Sequence, residues 1–189
     1  NILIRNTKTL PDEKLMRLII KNDQKAFAEL TRRYLTAVFR FSYSVSQNKE
    51  LAEDVTQETF MLVWENAQKW EPSGQLKSWL FRVARNKTID ALRRTKPHMD
   101  IEQTHLHDTQ KSPYSNVLNS QLNTLIDAQM AILPERQREA IMLVHFLQCS
   151  NIEAAETMGI SVDALESLLA RGRKKLRSLL ADQNEVFLS

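Results

Sequence analysis

Ser150-Asn151-Ile152-Glu153-Ala154-Ala155-Glu156-Thr157-Met158-Gly159-Ile160-Ser161 decides how this chain folds. Ser150 and Glu153 stand at the spacing of a capping box. The serine hydroxyl can accept from a backbone N–H of the first turn, and the glutamate can accept from the serine's own N–H. Gly159 suits the left-handed residue that ends a helix, and Ser161 can cap the helix that follows. Two helices separated by so short a turn read as a helix-turn-helix, whose second helix usually enters the major groove of DNA. That second helix carries Arg171, Arg173, Lys174, Lys175 and Arg177, placing positive charge where phosphates would lie. An ordinary helical hairpin with a solvated basic end is the competing reading, but it leaves the joint occurrence of capping box, glycine turn and basic tail without a reason.

Working outward, Pro134 suits the first turn of a helix running towards Leu147, and helical spacing extends back over 118–133. Further upstream, Phe27, Leu30, Tyr34, Val38, Phe41 and Val45 step by three or four along one helical face, with Asp23 placed to cap it. A shorter helix from Asp12 to Ile20 precedes it. Leu51 to Lys69 reads as another helix, with Leu51, Val55, Leu62 and Val63 available for a core, until Pro72, Ser73 and Gly74 break the pattern. Lys77 to Arg94 is helical again, with Leu80, Val83, Ala84, Lys87 and Ala91 at helical spacing. Residues 96–117 lose the periodicity and contain Pro97, Pro113, His98, His105 and His107, as a flexible linker does. The expected fold is therefore all-α: two small helical domains, 1–95 and 118–189, joined by the linker 96–117, with the helix-turn-helix in the second.

Composition agrees. The chain has 189 residues, 42% hydrophobic and 26% charged, as in an ordinary globular protein. Only 3 glycines and 5 prolines leave little material for hairpins or Gly-rich phosphate loops. One cysteine, Cys149, excludes an internal disulfide framework and fits a reducing cytoplasm. No apolar run approaches the roughly 18 residues of a membrane span. Ile2-Leu3-Ile4 is too short for a signal peptide, and a start without methionine leads us to expect residues ahead of Asn1. The net charge of +3 is unevenly placed. Lys77, Arg82, Arg85, Lys87, Arg93 and Arg94 face one acid, Asp90, which marks a second polyanion-binding surface apart from the helix-turn-helix.

These residues, taken together, resemble bacterial sigma factors of the extracytoplasmic-function (ECF) group, the minimal kind with only domains 2 and 4. Ala52-Glu53-Asp54-Val55-Thr56-Gln57-Glu58-Thr59-Phe60, followed by Val63-Trp64, is similar to the family's D-x-x-Q-E/D-x-F signature. Asn22-Asp23-Gln24-Lys25-Ala26-Phe27, with Leu30 and Tyr34, resembles its opening helices. Ser78-Trp79-Leu80-Phe81-Arg82-Val83-Ala84-Arg85-Asn86 resembles its promoter-melting helix. Leu133-Pro134 and the helix-turn-helix follow in the family's order.

The resemblance implies a non-catalytic, dissociable subunit with three kinds of contact. Asp54, Gln57, Glu58 and Met61, three or four apart on one helical surface, would dock on core RNA polymerase. A plain solvated acidic face is the alternative there, and Phe60 and Trp64 read most simply as core. Trp70, Gln75, Lys77, Trp79, Arg82, Arg85, Asn86, Lys87, Arg93 and Arg94 would recognise the promoter −10 element and hold the melted strand. Such a site needs aromatic platforms, a pocket for an unstacked base and a basic track; Asn86 offers a base edge both a donor and an acceptor. Trp79 has the alternative of a place in the domain core. Ser161, Ala164, Glu166, Ser167, Arg171, Arg173, Lys174 and Lys175 would read −35 duplex. Here Glu166 and Leu168 stand where many members carry bases, and Glu166 can instead accept from a cytosine amino group. The family's usual control, an anti-sigma factor covering the polymerase-binding faces, is implied as a further partner, with a cytoplasmic location or one at the membrane through such a factor.

No cofactor is expected. The linker histidines with Asp100, Glu102 and Asp108 could ligate zinc or nickel only if held in fixed geometry, and a solvated linker is the simpler reading. Cys149 reads as a small, partly buried thiol before a redox switch, and His145 as helix surface or core. No nucleophile elbow, Walker loop, HExxH or CxxC pair is present. A dimeric helix-turn-helix regulator would explain residues 134–177 as well, but neither the Asp54–Phe60 surface nor the Trp70–Arg94 stretch.

Overall fold

A computed structural model describes residues 7–70, 76–95 and 128–187. Among these residues every regular element is helical. After a short 3₁₀ turn at Thr7–Thr9 come α1 (Asp12–Ile19), α2 (Gln24–Ser46), α3 (Lys49–Asn66) and α4 (Leu76–Thr95). The chain resumes with a helical turn at 128–131, then α5 (Glu135–Ile141), α6 (Asn151–Met158) and α7 (Val162–Phe187). The linker histidines, Gln75 and most of 118–133 lie outside the described residues.

Local chemistry sets the helix ends. Asp23 accepts from the backbone N–H of Lys25 at 2.9 Å and of Ala26 at 3.1 Å, relieving two of the first turn's unpaired donors. Asn48 does the same for Leu51 at 3.0 Å. Between them Gln47 turns the chain with φ 54°, so α2 reverses into α3 within two residues. The α3 helix stops at Asn66 and tightens into a 3₁₀ turn at Ala67–Lys69, slightly short of the single helix to Lys69 that periodicity predicts.

The helix expected to run from Pro134 to Leu147 takes a different course. Pro134 stands just before α5 as its N-cap, and regular α geometry ends at Ile141. Met142–Phe146 then forms a π turn, in which Leu147 N–H donates to the Met142 carbonyl at 2.9 Å, five residues back. Cys149 N–H reaches the Leu143 carbonyl at 2.9 Å, and Gln148 takes φ 52° to let it do so.

Helices α2, α3 and α4 pack together, with α1 laid against α2. Phe41 and Phe81 meet edge to face at 5.6 Å in their centre, and Phe27 meets Trp64 at 5.0 Å nearer the rim. Side chains of this size each contribute about 1.5–3 kcal/mol when fully buried. A polar clasp holds α1: Arg33 donates to Asp12 at 2.8 Å, and the Tyr34 hydroxyl donates to the other Asp12 oxygen. Arg33 and Arg32 both donate to the buried Glu29, and these bonds, Arg32 first, bring its carboxyl down to about 2.

In the second module α5 and α6 pack on α7. Gly172 lies within α7, and a Cβ there would stand 2.6 Å from Cδ1 of Ile141. The two modules also touch. The α4 helix lies along α6, and α2 meets α5. Buried apolar residues from both halves, among them Phe41, Leu80, Leu143 and Met158, form one continuous cluster.

Candidate nucleic-acid and docking interfaces

The capping box is present in full. Glu153 N–H donates to Ser150 Oγ at 3.2 Å, and Ser150 N–H donates to Glu153 Oε2 at 2.7 Å. Gly159 closes α6 with φ 63°, and Ile160 N–H returns to the Ala155 carbonyl at 3.0 Å. Ser161 then accepts from Ala164 N–H at 3.2 Å to start α7. Ala154, Ala155, Met158, Leu165 and Leu169 are buried between these helices, which fixes their crossing. Outward from that seam Ala164, Glu166, Ser167, Arg171, Arg173, Lys174 and Lys175 are exposed, as is Ser161 ahead of them. One contact was not foreseen: the side-chain amide of Asn151 donates to Glu166 Oε1 at 3.2 Å. Arg171 bends back to the Ser167 carbonyl at 3.2 Å, near the same face.

The α3 surface is also as its spacing implies. Asp54, Gln57, Glu58 and Met61 are exposed, and Met61 is 59% accessible, unusual for so large an apolar side chain. Their buried neighbours are Val55, Phe60 and Val63. Phe60 is thus core, while Trp64 is half-buried against Phe27. Two groups assigned separately by sequence lie together: Lys87 on α4 donates to Glu58 on α3 at 2.8 Å. This pair borders an open cleft of about 340 Å³, lined also by Asn48, Glu50, Asp54 and Arg94.

The basic helix α4 divides between two environments. Arg82, Asn86, Arg93 and Arg94 are exposed. Trp70 and Trp79 are half-buried and packed on the core. Arg85 points into the junction with the second module, where Nε donates to Glu139 Oε1 and Nη2 reaches Oε2 at 3.4 Å. Lys77 donates to the Gln148 carbonyl at 3.0 Å, and Arg82 lies 3.9 Å from Glu156.

Sequence reasoning missed Arg138 and Glu139. Arg138 spans the junction, donating to the carbonyls of Leu133 at 3.1 Å and Val45 at 3.4 Å. Burial lowers its pKa, while burial of Glu139 raises that carboxyl against the opposing pull of Arg85. Cys149 is buried, which raises its thiol's pKa, and His145 is exposed in the π turn. Among the described residues no group of His, Cys, Asp and Glu could hold a metal ion, and no helix is long and apolar enough to cross a membrane.

Comparison with known proteins agrees with this arrangement. Residues 30–97 match the family described as Sigma-70 region 2, and residues 124–176 match Sigma-70, region 4. The chain is 30% identical over 181 residues to the ECF RNA polymerase sigma factor SigW of Bacillus subtilis, covering 90% of this chain and 97% of that one. It is 33% identical over 156 residues to SigM of the same organism, another ECF RNA polymerase sigma factor, covering 80% and 93%. Among solved structures, CnrH in complex with the cytosolic domain of CnrY superposes with a TM-score of 0.67 at 25% identity, covering 90% of this chain and 97% of that one. RpoE in complex with the anti-sigma factor NepR from Bartonella quintana gives 0.66 at 28%, covering 83% and 98%.

Proposed function

The chain belongs to the ECF RNA polymerase sigma factors of the sigma-70 family, and we propose how its own residues carry out that work. The observation that carries the reading is the order along one chain of the exposed α3 surface, the basic α4 and the capped helix-turn-helix. Asp54, Gln57, Glu58 and Met61 dock on core RNA polymerase, offering carboxylates and an amide around one apolar contact. Arg82, Asn86, Arg93 and Arg94, with Trp70, Gln75, Lys77, Trp79, Arg85 and Lys87 beside them, engage the −10 element and the melted strand. The bases attract any strand, whereas an unstacked base is selected by the groups that meet its edge.

On the second module Glu166 faces the major groove, where it accepts from a cytosine or adenine amino group. Asn151 positions it by occupying Oε1, which leaves Oε2 towards the base. Ser161, Ala164, Ser167 and Arg171 adjoin Glu166, and Arg173, Lys174 and Lys175 engage phosphates. Residues 1–95 and 118–189 act as separate readers, with 96–117 as the tether between them. Binding to the same polymerase raises the effective concentration of each reader at its element, so neither has to bind promoter DNA tightly alone.

The protein is a non-catalytic subunit acting in the bacterial cytoplasm. Relatives solved with CnrY and NepR support an anti-sigma factor as a third partner, and a membrane-anchored one would hold the protein at the membrane. Run-off transcription with core polymerase and a genomic promoter library, with and without this protein, tests the reading. New transcripts that require the protein are expected; a symmetric footprint on duplex DNA without polymerase would instead favour a dimeric regulator.

A further inference from the structure

Three cations on the proposed strand-binding helix have partners in the second module. Arg85 pairs with Glu139, Lys77 donates to the Gln148 carbonyl, and Arg82 faces Glu156. The first of these differs from the others in kind. The Glu139 side chain is 1% exposed and that of Arg85 16%, whereas those of Arg82 and Glu156 are about half exposed. An ion pair open to water contributes little. A buried one repays the dehydration of its charges only while both partners stay in place, and removing either is strongly destabilising.

We propose that Glu139 is an internal competitor for nucleic acid: its carboxylate occupies the place of a strand phosphate at Arg85 and latches the free chain shut. This inference rests on the reading of α4 as the strand-binding helix. A carboxylate and a phosphate offer a guanidinium the same paired oxygen acceptors, so one excludes the other. The latch is selective in its opening. Dehydration offsets much of the attraction between Arg85 and Glu139, so the pair itself holds the closed form with little surplus. A polyanion meeting Arg82, Arg93 and Arg94, all exposed, can gain contacts step by step as Glu139 leaves. In the closed form α6, the first helix of the DNA reader, lies against α4, so the two readers cannot span separate promoter elements until the latch is released.

The test uses the full-length chain without polymerase, small-angle scattering to read its extension, and a fluorescent single-stranded −10 oligonucleotide to read binding. Glu139→Gln should enlarge the radius of gyration and tighten oligonucleotide binding at least tenfold. Arg85→Gln should enlarge the radius equally, from the other side of the pair, without tightening. Glu156→Gln, at the water-exposed pair, should change neither by more than twofold. Circular dichroism and retained binding to −35 duplex confirm that each variant is folded. Adding excess oligonucleotide to the unmodified protein should enlarge it as Glu139→Gln does. If Glu139→Gln and Arg85→Gln both remain as compact as the parent, the latch is overturned while the strand-binding reading stands. If they expand but no form binds the oligonucleotide, α4 is not the strand reader and the competition claim falls with it.

Discussion

The Asn151 amide donates to Glu166 Oε1 at 3.2 Å, tying the first turn of α6 to the exposed face of α7. Both residues lie at positions that the capping box and Ser161 fix in the backbone. Glu166→Ala should therefore relax preference at one −35 base pair, by about 1–3 kcal/mol of discrimination. Asn151→Ala should blur the same position by less. Competition binding with a randomised −35 duplex checks both, and loss of overall affinity without any change in base preference would remove Glu166 from readout.

The cations further along α7 should behave differently. Arg173→Ala and Lys175→Ala should weaken binding to every duplex alike, each flattening the salt dependence by a slope of about 1. Neither should impair transcription from a template already opened around −10. Run-off assays on paired closed and pre-opened templates would show it.

On α3, truncating Asp54, Gln57 and Met61 together to Ala should weaken core-polymerase binding while leaving the melting curve in place, because all three are exposed. Interface positions that dominate binding cost about 2 kcal/mol or more when truncated. Glu58→Ala is a less clean probe, since it also releases Lys87. Unchanged binding in a competition assay would take this surface out of the mechanism.

Stability should fall in acid through Glu29. Its carboxyl titrates near 4.5 when unfolded and at about 2 when folded, held down by Arg32 and Arg33. A lowered folded value means that the stabilisation is complete above about 4.5 and is lost as pH falls towards 2. Chemical denaturation of parent and Glu29→Gln should show curves that converge across that window. Parallel curves would mean that the clasp does not contribute.

Gly172→Ala sets two effects against each other. Alanine favours a helix interior by about 1 kcal/mol, but the new Cβ would press on Ile141, itself only 2% exposed. Overpacking a filled core costs about 1–3 kcal/mol, so a net loss is expected, visible as a lower melting temperature. Gly172→Ala with Ile141→Val should recover part of it.

Most of the helices were legible because periodicity and caps are local. Asp23, Ser150 and Ser161 act within three residues of themselves, and all three cap as their spacing implies. The clefts and pairings were not. Glu135-Arg136-Gln137-Arg138-Glu139 reads as the solvated start of a helix, yet Arg138 and Glu139 are buried. Their partners, Val45 and Arg85, are 93 and 54 residues away, and helical spacing carries no information about groups so distant. For the same reason Lys87 and Glu58 could be assigned to different surfaces although they touch.

The π turn at Met142–Phe146 has a consequence for length. A five-residue bond accommodates one more residue than an α-helix would use over the same rise. Deleting a single residue there would turn the five-residue bond into a four-residue one and leave the groups beyond pointing as they do now relative to α5, whereas the same deletion inside α5 or α7 would rotate everything beyond it by about 100°. Glu139, ahead of the turn, would stay beside Arg85, and Glu166, beyond it, would keep its place on the exposed face of α7. The chain should therefore tolerate the loss of one residue in this turn better than the loss of one within α5 or α7.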